Sequence, residues 1–433
     1  KWTNQRKSVK LRSMEDKQNN LNKILYLSIG IILLFLALLF SIIAFIQKKD
    51  RVYFYDINKS SQKVIEKIIL ETPTVKKRRI KFEVLDSSVP LSSLIESKKL
   101  HKASLIFANN NYDVLDVVNN PTDFYKKMNV QNLSVEFLDG MPQSIVEHTK
   151  NMTLNSTSEG DFVKFLPILY DFYQVDVHFP LFQKSNVKNI NIWEDLVNSA
   201  ANSTKNCSSP VLININNQIE YINTLGMISE ALSSPTEYEI MTKNLYVAYK
   251  NGSEALQTEI ENLLTSDSAL KKAVDAVNYL ISKKFISSTA ITFSDDDIQF
   301  YVDNQLSLFY FTKLSKHRQI ERTIINNYKS IYCPGATTTS TRKFSAPEIG
   351  VFCVKEKKYT KDVLLNLVRT RQTELCTESG LAPVQKNCIV PDLQADDVRY
   401  WLAASNGPTL PLAAALPTTE AKEIFVKACK ETN

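Results

Sequence analysis

Amides, carboxylates and aromatic rings recur directly after the apolar, β-prone runs of this chain. Carboxylates and amides exchange hydrogen bonds with ligand hydroxyls, and rings supply flat apolar contact. This pattern selects Asp56, Asn58, Asn109, Asn111, Tyr112, Tyr170, Asp171, Asn216, Asn217, Tyr310 and Phe311, and we add Phe425 from the C-terminal helical region. We predict that they bind a small polar solute. The alternatives are core packing for the rings, an exposed turn for the asparagines at 109–111, and a hinge or surface position for Asp171.

The motifs that carry covalent or cofactor chemistry are missing from the sequence. Its nine glycines are scattered, and no glycine-rich loop of the G-x-G-x-x-G or G-x-x-x-x-G-K-[ST] type is present to cradle a phosphate. Neither a G-x-S-x-G elbow nor an H-E-x-x-H motif occurs. The four histidines, expected to be surface or structural residues, are His101, His148, His178 and His317. We therefore expect no enzyme, no cofactor and no metal. The net charge of +6 is too modest to indicate nucleic acid binding.

An uncharged run, ILYLSIGIILLFLALLFSIIAFI, occupies the 23 positions 24–46. A helix of this length reaches about 35 Å, and the hydrocarbon core of a bilayer is about 30 Å thick. Seven basic residues precede the run and three follow it within 48–51, which favours a cytoplasmic N-terminus. We predict a cytoplasmic tail at 1–23, a single-pass signal anchor in the inner (cytoplasmic) membrane at 24–47, and a main domain that is periplasmic or extracellular.

All six cysteines follow the predicted anchor: Cys207, Cys333, Cys353, Cys376, Cys388 and Cys429. An even number in an oxidising compartment permits disulfides, although the sequence does not choose the pairing. Cys376–Cys388 and Cys333–Cys353 would close short loops. Free buried thiols are the alternative.

Strand and helix patterns alternate along the main domain. Runs at 51–57, 79–86 and 103–110 are β-prone, and an apolar helical face around 64–69 separates the first two. Further strands are predicted near 168, 210, 306 and 349, and helices at 191–202, 253–284, 359–376 and 418–431. Strand, helix and strand in succession predict a parallel α/β sheet, with a ligand crevice at the carboxyl ends of its strands. The helical content exceeds that of one six-strand domain, so two α/β lobes fit better.

Four stretches of the main domain carry a family resemblance. They are LIFANNNYDVLDVV (105–118), LPILYDFYQVDVHFPLF (166–182) with the later Trp193-Glu194-Asp195-Leu196, VDNQLSLFYF (302–311), and a helix ending in Gly380 and Pro383. In this order they resemble the bacterial extracytoplasmic solute-binding proteins of family 1, the maltose-binding-protein-like components of ABC importers. The resemblance covers about residues 51–433.

This resemblance implies an α/β periplasmic-binding-protein fold of type II, with two discontinuous lobes joined by a hinge. One lobe would comprise 51–168 and 352–392, and the other 169–351 and 393–433. The implied partners are a small solute, most often a carbohydrate, and the permease subunits of an ABC transporter. Asp171 would be an acidic ligand contact. The alternative function is an envelope interaction or scaffold protein that keeps the fold without the pocket.

Overall fold

The computed structural model describes residues 25–39, 50–76, 78–95, 100, 103–119, 130–153, 162–339, 343–355, 357–390 and 407–431. The predicted tail at 1–23 and both ends of the predicted anchor at 24–47 lie outside these residues. Residues 25–39 form a helix with exposed apolar side chains. Within the described ranges, no helix is both long and apolar enough to cross a membrane. Residues 51–77 and 82–433 form a separate unit that contains most of the fold.

The strands are β1 (Asp50–Tyr55), β2 (Ile80–Val84), β3 (Ala103–Asn109), β4 (Leu133–Ser134), β5 (Phe162–Val163), β6 (Leu166–Tyr170), β7 (Tyr173–His178), β8 (Val211–Leu212), β9 (Phe309–Lys313), β10 (Tyr328–Ile331), β11 (Phe344–Ser345), β12 (Glu348–Cys353), β13 (Ala382–Pro383) and β14 (Pro408–Thr409). The helices are α1 (Lys59–Glu71), α2 (Leu91–Ile95), α3 (Tyr112–Asn119), α4 (Gln143–Thr153), α5 (Phe179–Phe182), α6 (Trp193–Ser203), α7 (Gln218–Leu232), α8 (Pro235–Lys250), α9 (Ser253–Thr265), α10 (Ala269–Ser282), α11 (Asp295–Asp303), α12 (Leu314–His317), α13 (Lys358–Leu365), α14 (Gln372–Ser379) and α15 (Thr419–Glu431).

The larger sheet in the described part of the chain has six strands in the order β13–β6–β12–β3–β1–β2. β1 and β3 run parallel, as predicted. β12 differs from the prediction of a parallel sheet, since it runs antiparallel to both β3 and β6. A late segment of the chain therefore inserts between two early strands.

Helix α1 shows how the local sequence supports this sheet. Asn58 caps the helix by accepting a hydrogen bond from the backbone nitrogen of Ser61 at 2.8 Å. Its apolar positions Val64, Ile65 and Ile68 recur at helical spacing and are fully or almost fully buried. The amphipathic face predicted from the sequence is thus confirmed.

The second sheet has four strands among the described residues, in the order β10–β7–β9–β8. β7 is antiparallel to β10 and β9, and β8 is parallel to β9. Strand alternation sends Tyr173, Val175 and Val177 of β7 into a large core formed mainly with the helices between α6 and α10 and with α15. The predicted helix at 253–284 is two helices, α9 and α10. The apolar stripe of α10 is buried as expected.

The other face of β7 carries a buried aspartate–histidine pair. His317 Nδ1 lies 2.6 Å from Asp176 Oδ2, and both side chains have no solvent exposure. Asp176 Oδ1 accepts hydrogen bonds from Gln174 Nε2 at 2.7 Å and from Ser330 Oγ at 3.0 Å. Asp176 is fully buried, because this strand is covered on both faces.

The chain passes from the six-stranded to the four-stranded sheet at Asp171 and Phe172, between β6 and β7. It returns just before β12, where β11 pairs in parallel with β14. The predicted lobe boundary between residues 351 and 352 falls inside β12. Each sheet is therefore assembled from segments that are distant in sequence.

Candidate functional site

Asp56 lies immediately after β1, at the carboxyl edge of the larger sheet. Its backbone adopts a left-handed conformation, with φ of 53°, which is uncommon for a residue other than glycine. Surrounding protein raises the pKa of Asp56, while Lys422, a hydrogen bond with Asn109 and Lys313 oppose the rise. The side chain is nevertheless exposed to solvent. The carboxyl group of Asp56 is therefore accessible to solvent and interacts electrostatically with two lysines, Lys422 and Lys313.

Lys313 brings a positive charge toward this carboxylate from the second sheet, where it ends β9. Its Nζ lies 3.1 Å from Glu220 Oε1 at the start of α7. Burial lowers the pKa of Lys313, but Tyr173, Glu220 and Asp171 outweigh that effect and raise it above its ordinary value. Lys313 therefore stays charged in a partly buried position.

Lys422 supplies the second positive charge, from the first turns of α15. Desolvation lowers the pKa of Lys422, and Asp56 opposes this change. The N-terminal end of a helix carries partial positive charge, so a lysine there is electrostatically unfavourable. Lys422 interacts with Asp56 and does not stabilise the start of α15. This position favours an interaction with a polar or anionic ligand group.

Further polar side chains near Glu220 come from the second sheet and from α7. Tyr173 accepts a hydrogen bond from Asn223 Nδ2 at 2.7 Å, and both side chains are buried. Beside Glu220 is a pocket lined by Asn214, Glu220, Asp295, Ile298, Gln299, Tyr310, Phe311 and Lys316.

Asp295 organises that pocket. Its carboxylate accepts hydrogen bonds from Asn214 Nδ2 at 2.6 Å and from Asn217 Nδ2 at 3.2 Å. Burial acts to raise the pKa of Asp295, but these hydrogen bonds lower it below its ordinary value. Asn217 also caps α7 through Glu220 N, whereas its predicted neighbour Asn216 is exposed.

Three of the predicted site residues make contacts within the protein: two cap helices, and one connects two helices. Asn58 caps α1, and Asn111 Oδ1 accepts a hydrogen bond from Val114 N at 2.7 Å at the start of α3. Tyr112 reaches α8, where its hydroxyl lies 2.8 Å from Thr242 Oγ1 and its ring stacks on Tyr246 at 5.3 Å. Tyr112 thus links α3, the helix that follows β3 of the six-stranded sheet, to α8.

Asp171, the residue most favoured by the sequence, accepts hydrogen bonds from the protein. They come from Phe172 N at 3.0 Å, Ser315 N at 2.9 Å and Ser315 Oγ at 2.7 Å. The side chain is 8% exposed. These contacts fix the crossing segment, as the alternative interpretation of a hinge carboxylate anticipated.

Four predicted rings are buried in the protein interior: Tyr170, Tyr310, Phe311 and Phe425. Phe311 packs edge-on against Trp193 at 6.3 Å, and Phe425 has no exposed surface. The prediction that they offer a flat face to a solute does not agree with this burial. Core packing was the alternative weighed for each ring.

Of the predicted residues, the structure brings Asp56 and Asn109 together, and it groups Asn217 with the pocket that contains Tyr310. The sequence missed Lys313, Lys422, Glu220, Asn214 and Asp295. Lys313 could have been found, because it directly follows an apolar strand, the same signal that selected Asn109. Lys422 carries no such signal, since it is one of several lysines on an amphipathic helix.

The structure thus contains two sheets that are joined by crossing segments, and this architecture is similar to that of two-lobed bacterial solute-binding proteins. No protein-family model matches the chain, and no curated protein sequence matches it. Its structural neighbours are proteins of this class, so the expected fold is confirmed at the level of a mixed α/β, two-lobed architecture.

One neighbour is the bacterial solute receptor AcbH, which has an exclusive substrate preference for β-D-galactopyranose. It aligns with a TM-score of 0.63 and 11% identity over 88% of this chain and 97% of the receptor. The putative binding protein MsmE from Bacillus subtilis, in an open conformation, gives 0.65 and 10% over 89% and 94%. A probable secreted solute-binding lipoprotein from Streptomyces coelicolor gives 0.56 and 14% over 89% and 98%. At these identities the likeness establishes the fold.

Proposed function

We propose that this protein is an extracytoplasmic solute-binding protein that captures a carbohydrate in a cleft between two lobes. The lobes would comprise 51–168 with 352–392 and 169–351 with 393–433. A membrane anchor at 24–47 would hold the protein at the inner membrane. The bound solute would pass to the permease subunits of an ABC transporter.

The observation that carries this proposal is the electrostatic interaction of the solvent-exposed Asp56 with Lys313 and Lys422, which come from other parts of the fold. Asp56 follows β1 of one sheet, Lys313 ends β9 of the other, and Lys422 belongs to α15. Contacts that a ligand makes with both sides stabilise the closed arrangement over the open one. A hydroxyl-rich ligand can accept from the ammonium groups and donate to the carboxylate.

Support for a carbohydrate comes from the neighbours' fold and from the mixed polarity of the cleft groups. Asp56, Asn109 and Glu220 accept or donate hydrogen bonds without requiring a charged ligand. The sugar-binding neighbour AcbH shares the fold over most of the chain. The anchor is supported by the uncharged run at 24–46.

The direct test is a thermal-shift screen of the purified main domain against mono- and oligosaccharides, with amino acids, peptides and polyamines as comparison panels. A solute at 100 times its dissociation constant adds about 2.7 kcal/mol to the free energy of unfolding. We expect a carbohydrate to raise Tm, and the rise to be lost in Asp56→Asn. A complete panel without any stabilising solute would overturn the proposal.

The second candidate is an interaction protein that keeps this fold without a solute pocket. The burial of Tyr170, Phe311 and Phe425 favours it, because sugar sites commonly present an exposed ring. Capture of a defined envelope partner by both the wild type and Asp56→Asn, without any solute response, would support this candidate.

A further inference from the structure

Two cysteines meet at the edge of the larger sheet. Cys376 lies in α14 and is fully buried, and Cys388 follows β13 with 8% exposure. Both thiols contact Thr373: Cys376 Sγ donates to its carbonyl oxygen at 3.3 Å, and Cys388 Sγ lies 3.5 Å from its Oγ1. A hydrogen bond with Cys388, together with burial, raises the pKa of the Cys376 thiol.

We propose that Cys376 and Cys388 form a disulfide in the folded protein outside the cytoplasm. The two sulfurs are not joined in the structure, but both contact the same residue, Thr373. The pairing rests on this geometry. Only the oxidising location rests on the function proposed above.

The oxidation balances by exchange with a disulfide oxidant, such as a thiol-disulfide oxidoreductase. The Cys388 thiolate, which is the more exposed, attacks one sulfur of the oxidant and displaces its other sulfur as a thiolate. The Cys376 thiolate then attacks Cys388 Sγ and displaces the remaining oxidant sulfur. The protein loses two protons and two electrons, and the oxidant gains them as two thiols.

The disulfide would secure a weak element of the sheet. Between the two cysteines lie Gly380, in a left-handed conformation with φ of 79°, and the two-residue strand β13. β13 is the edge strand and pairs with Leu169 and Tyr170 of β6. Closing the loop from 376 to 388 reduces the freedom of this segment in the unfolded chain and so holds β13 on β6.

The other short-loop pairing considered from the sequence lacks this geometry. Cys333 packs in the core of the four-stranded sheet, and Cys353 ends β12 of the six-stranded sheet. Of the two short-loop pairings, the geometry among the described residues therefore favours Cys376–Cys388.

Trypsin offers a sharp test, because Lys386 separates the two cysteines. Cleavage after Arg371, Lys386 and Arg399 gives peptides 372–386 and 387–399, with one cysteine each. The full chain is treated with oxidised glutathione, denatured, alkylated without reduction, digested and analysed by mass spectrometry. We expect the two peptides as one linked species that dithiothreitol separates. We also expect Tm to fall by about 3 °C or more on reduction.

The Ser variants define the outcome. Cys376→Ser and Cys388→Ser should each abolish the linked species and the effect of reduction on Tm, while Cys207→Ser should retain both. Both peptides fully alkylated in the oxidised protein, or a link to another cysteine, would overturn the pairing. Solute binding is measured separately, so a failed ligand screen leaves this result unaffected.

Discussion

Ser315 donates two hydrogen bonds to Asp171, from its backbone nitrogen to Oδ1 and from its hydroxyl to Oδ2. Ser315 lies in α12, directly after the second sheet, and Asp171 ends the crossing from the first. The carbonyl oxygen of Phe172 accepts a third bond, from Leu314 N at 2.9 Å. Asp171 therefore fixes the angle at which the chain leaves one sheet for the other.

Asp171→Ala should lower the free energy of unfolding by about 1–3 kcal/mol, because it leaves two partly buried donors of Ser315 without their acceptor. Urea denaturation measures this loss. Asp267→Ala, at a highly exposed carboxylate, is the control that should change little. Wild-type stability combined with weakened solute binding would instead make Asp171 a ligand contact.

Asp56→Asn and Lys422→Gln should each weaken binding of the solute found by the screen. A hydrogen bond to a charged group contributes about 1.5–3 kcal/mol, which corresponds to about a 10- to 150-fold loss of affinity. Titration calorimetry provides the measurement, with Asp267→Asn as the matched control. Equal affinity in all three variants would show that Asp56 and Lys422 do not belong to the solute site.

The raised pKa of Asp56 predicts a pH dependence. A carboxyl group whose pKa is higher in the folded state binds more protons there, so its contribution to stability falls as pH rises above the ordinary value of 3.8. The Tm of the wild type should therefore fall relative to that of Asp56→Asn as the pH rises from below 3.8 to above it. The effect is small, since Asp56 is exposed. A constant difference across this range would contradict the prediction.

The buried Asp176–His317 pair should matter far more than a comparable surface pair. Removing one partner of a buried pair costs about 3–5 kcal/mol, whereas an exposed pair contributes less than about 1 kcal/mol. Chemical denaturation of Asp176→Ala can be compared with Asp275→Ala, whose partner Lys271 lies one helical turn away on α10. Similar losses from the two variants would show that the buried pair is dispensable.

Tyr112 should influence how closely the two sheets are held. Tyr112→Ala removes both the stacking on Tyr246 and the contact with Thr242, and Tyr112→Phe removes only the latter. Small-angle X-ray scattering of the ligand-free protein should show a larger radius of gyration for Tyr112→Ala than for Tyr112→Phe. An unchanged radius for both would mean that other contacts hold this arrangement.

The sequence predicted the elements better than the contacts between them. Periodicity identified α1, α10 and α15 because each buries one apolar stripe in the protein interior. It could not orient β12, because a strand buried on both faces has the same composition in either direction. Likewise, nothing local distinguishes Lys422 from the other lysines of its helix.

Residue type at strand ends was an informative but incomplete signal. It found Asp56 and Asn109, which meet because β1 and β3 are parallel neighbours that end at one edge. It does not separate a core ring from a ligand contact, as the buried Phe311 shows, since an aromatic ring suits a core as well as a ligand. It also could not pair Asp176 with His317, whose contact depends on how α12 returns over the second sheet.

The central position of β12 has a consequence for how the protein is made. Its sheet neighbours β3 and β6 are complete by Tyr170, yet β12 begins only at Glu348. A nascent chain therefore keeps two apolar strands without their shared partner while about 180 further residues are synthesised. Pairings so distant in sequence form slowly. For a polypeptide exported before it folds, this delay preserves an unfolded, translocation-competent state.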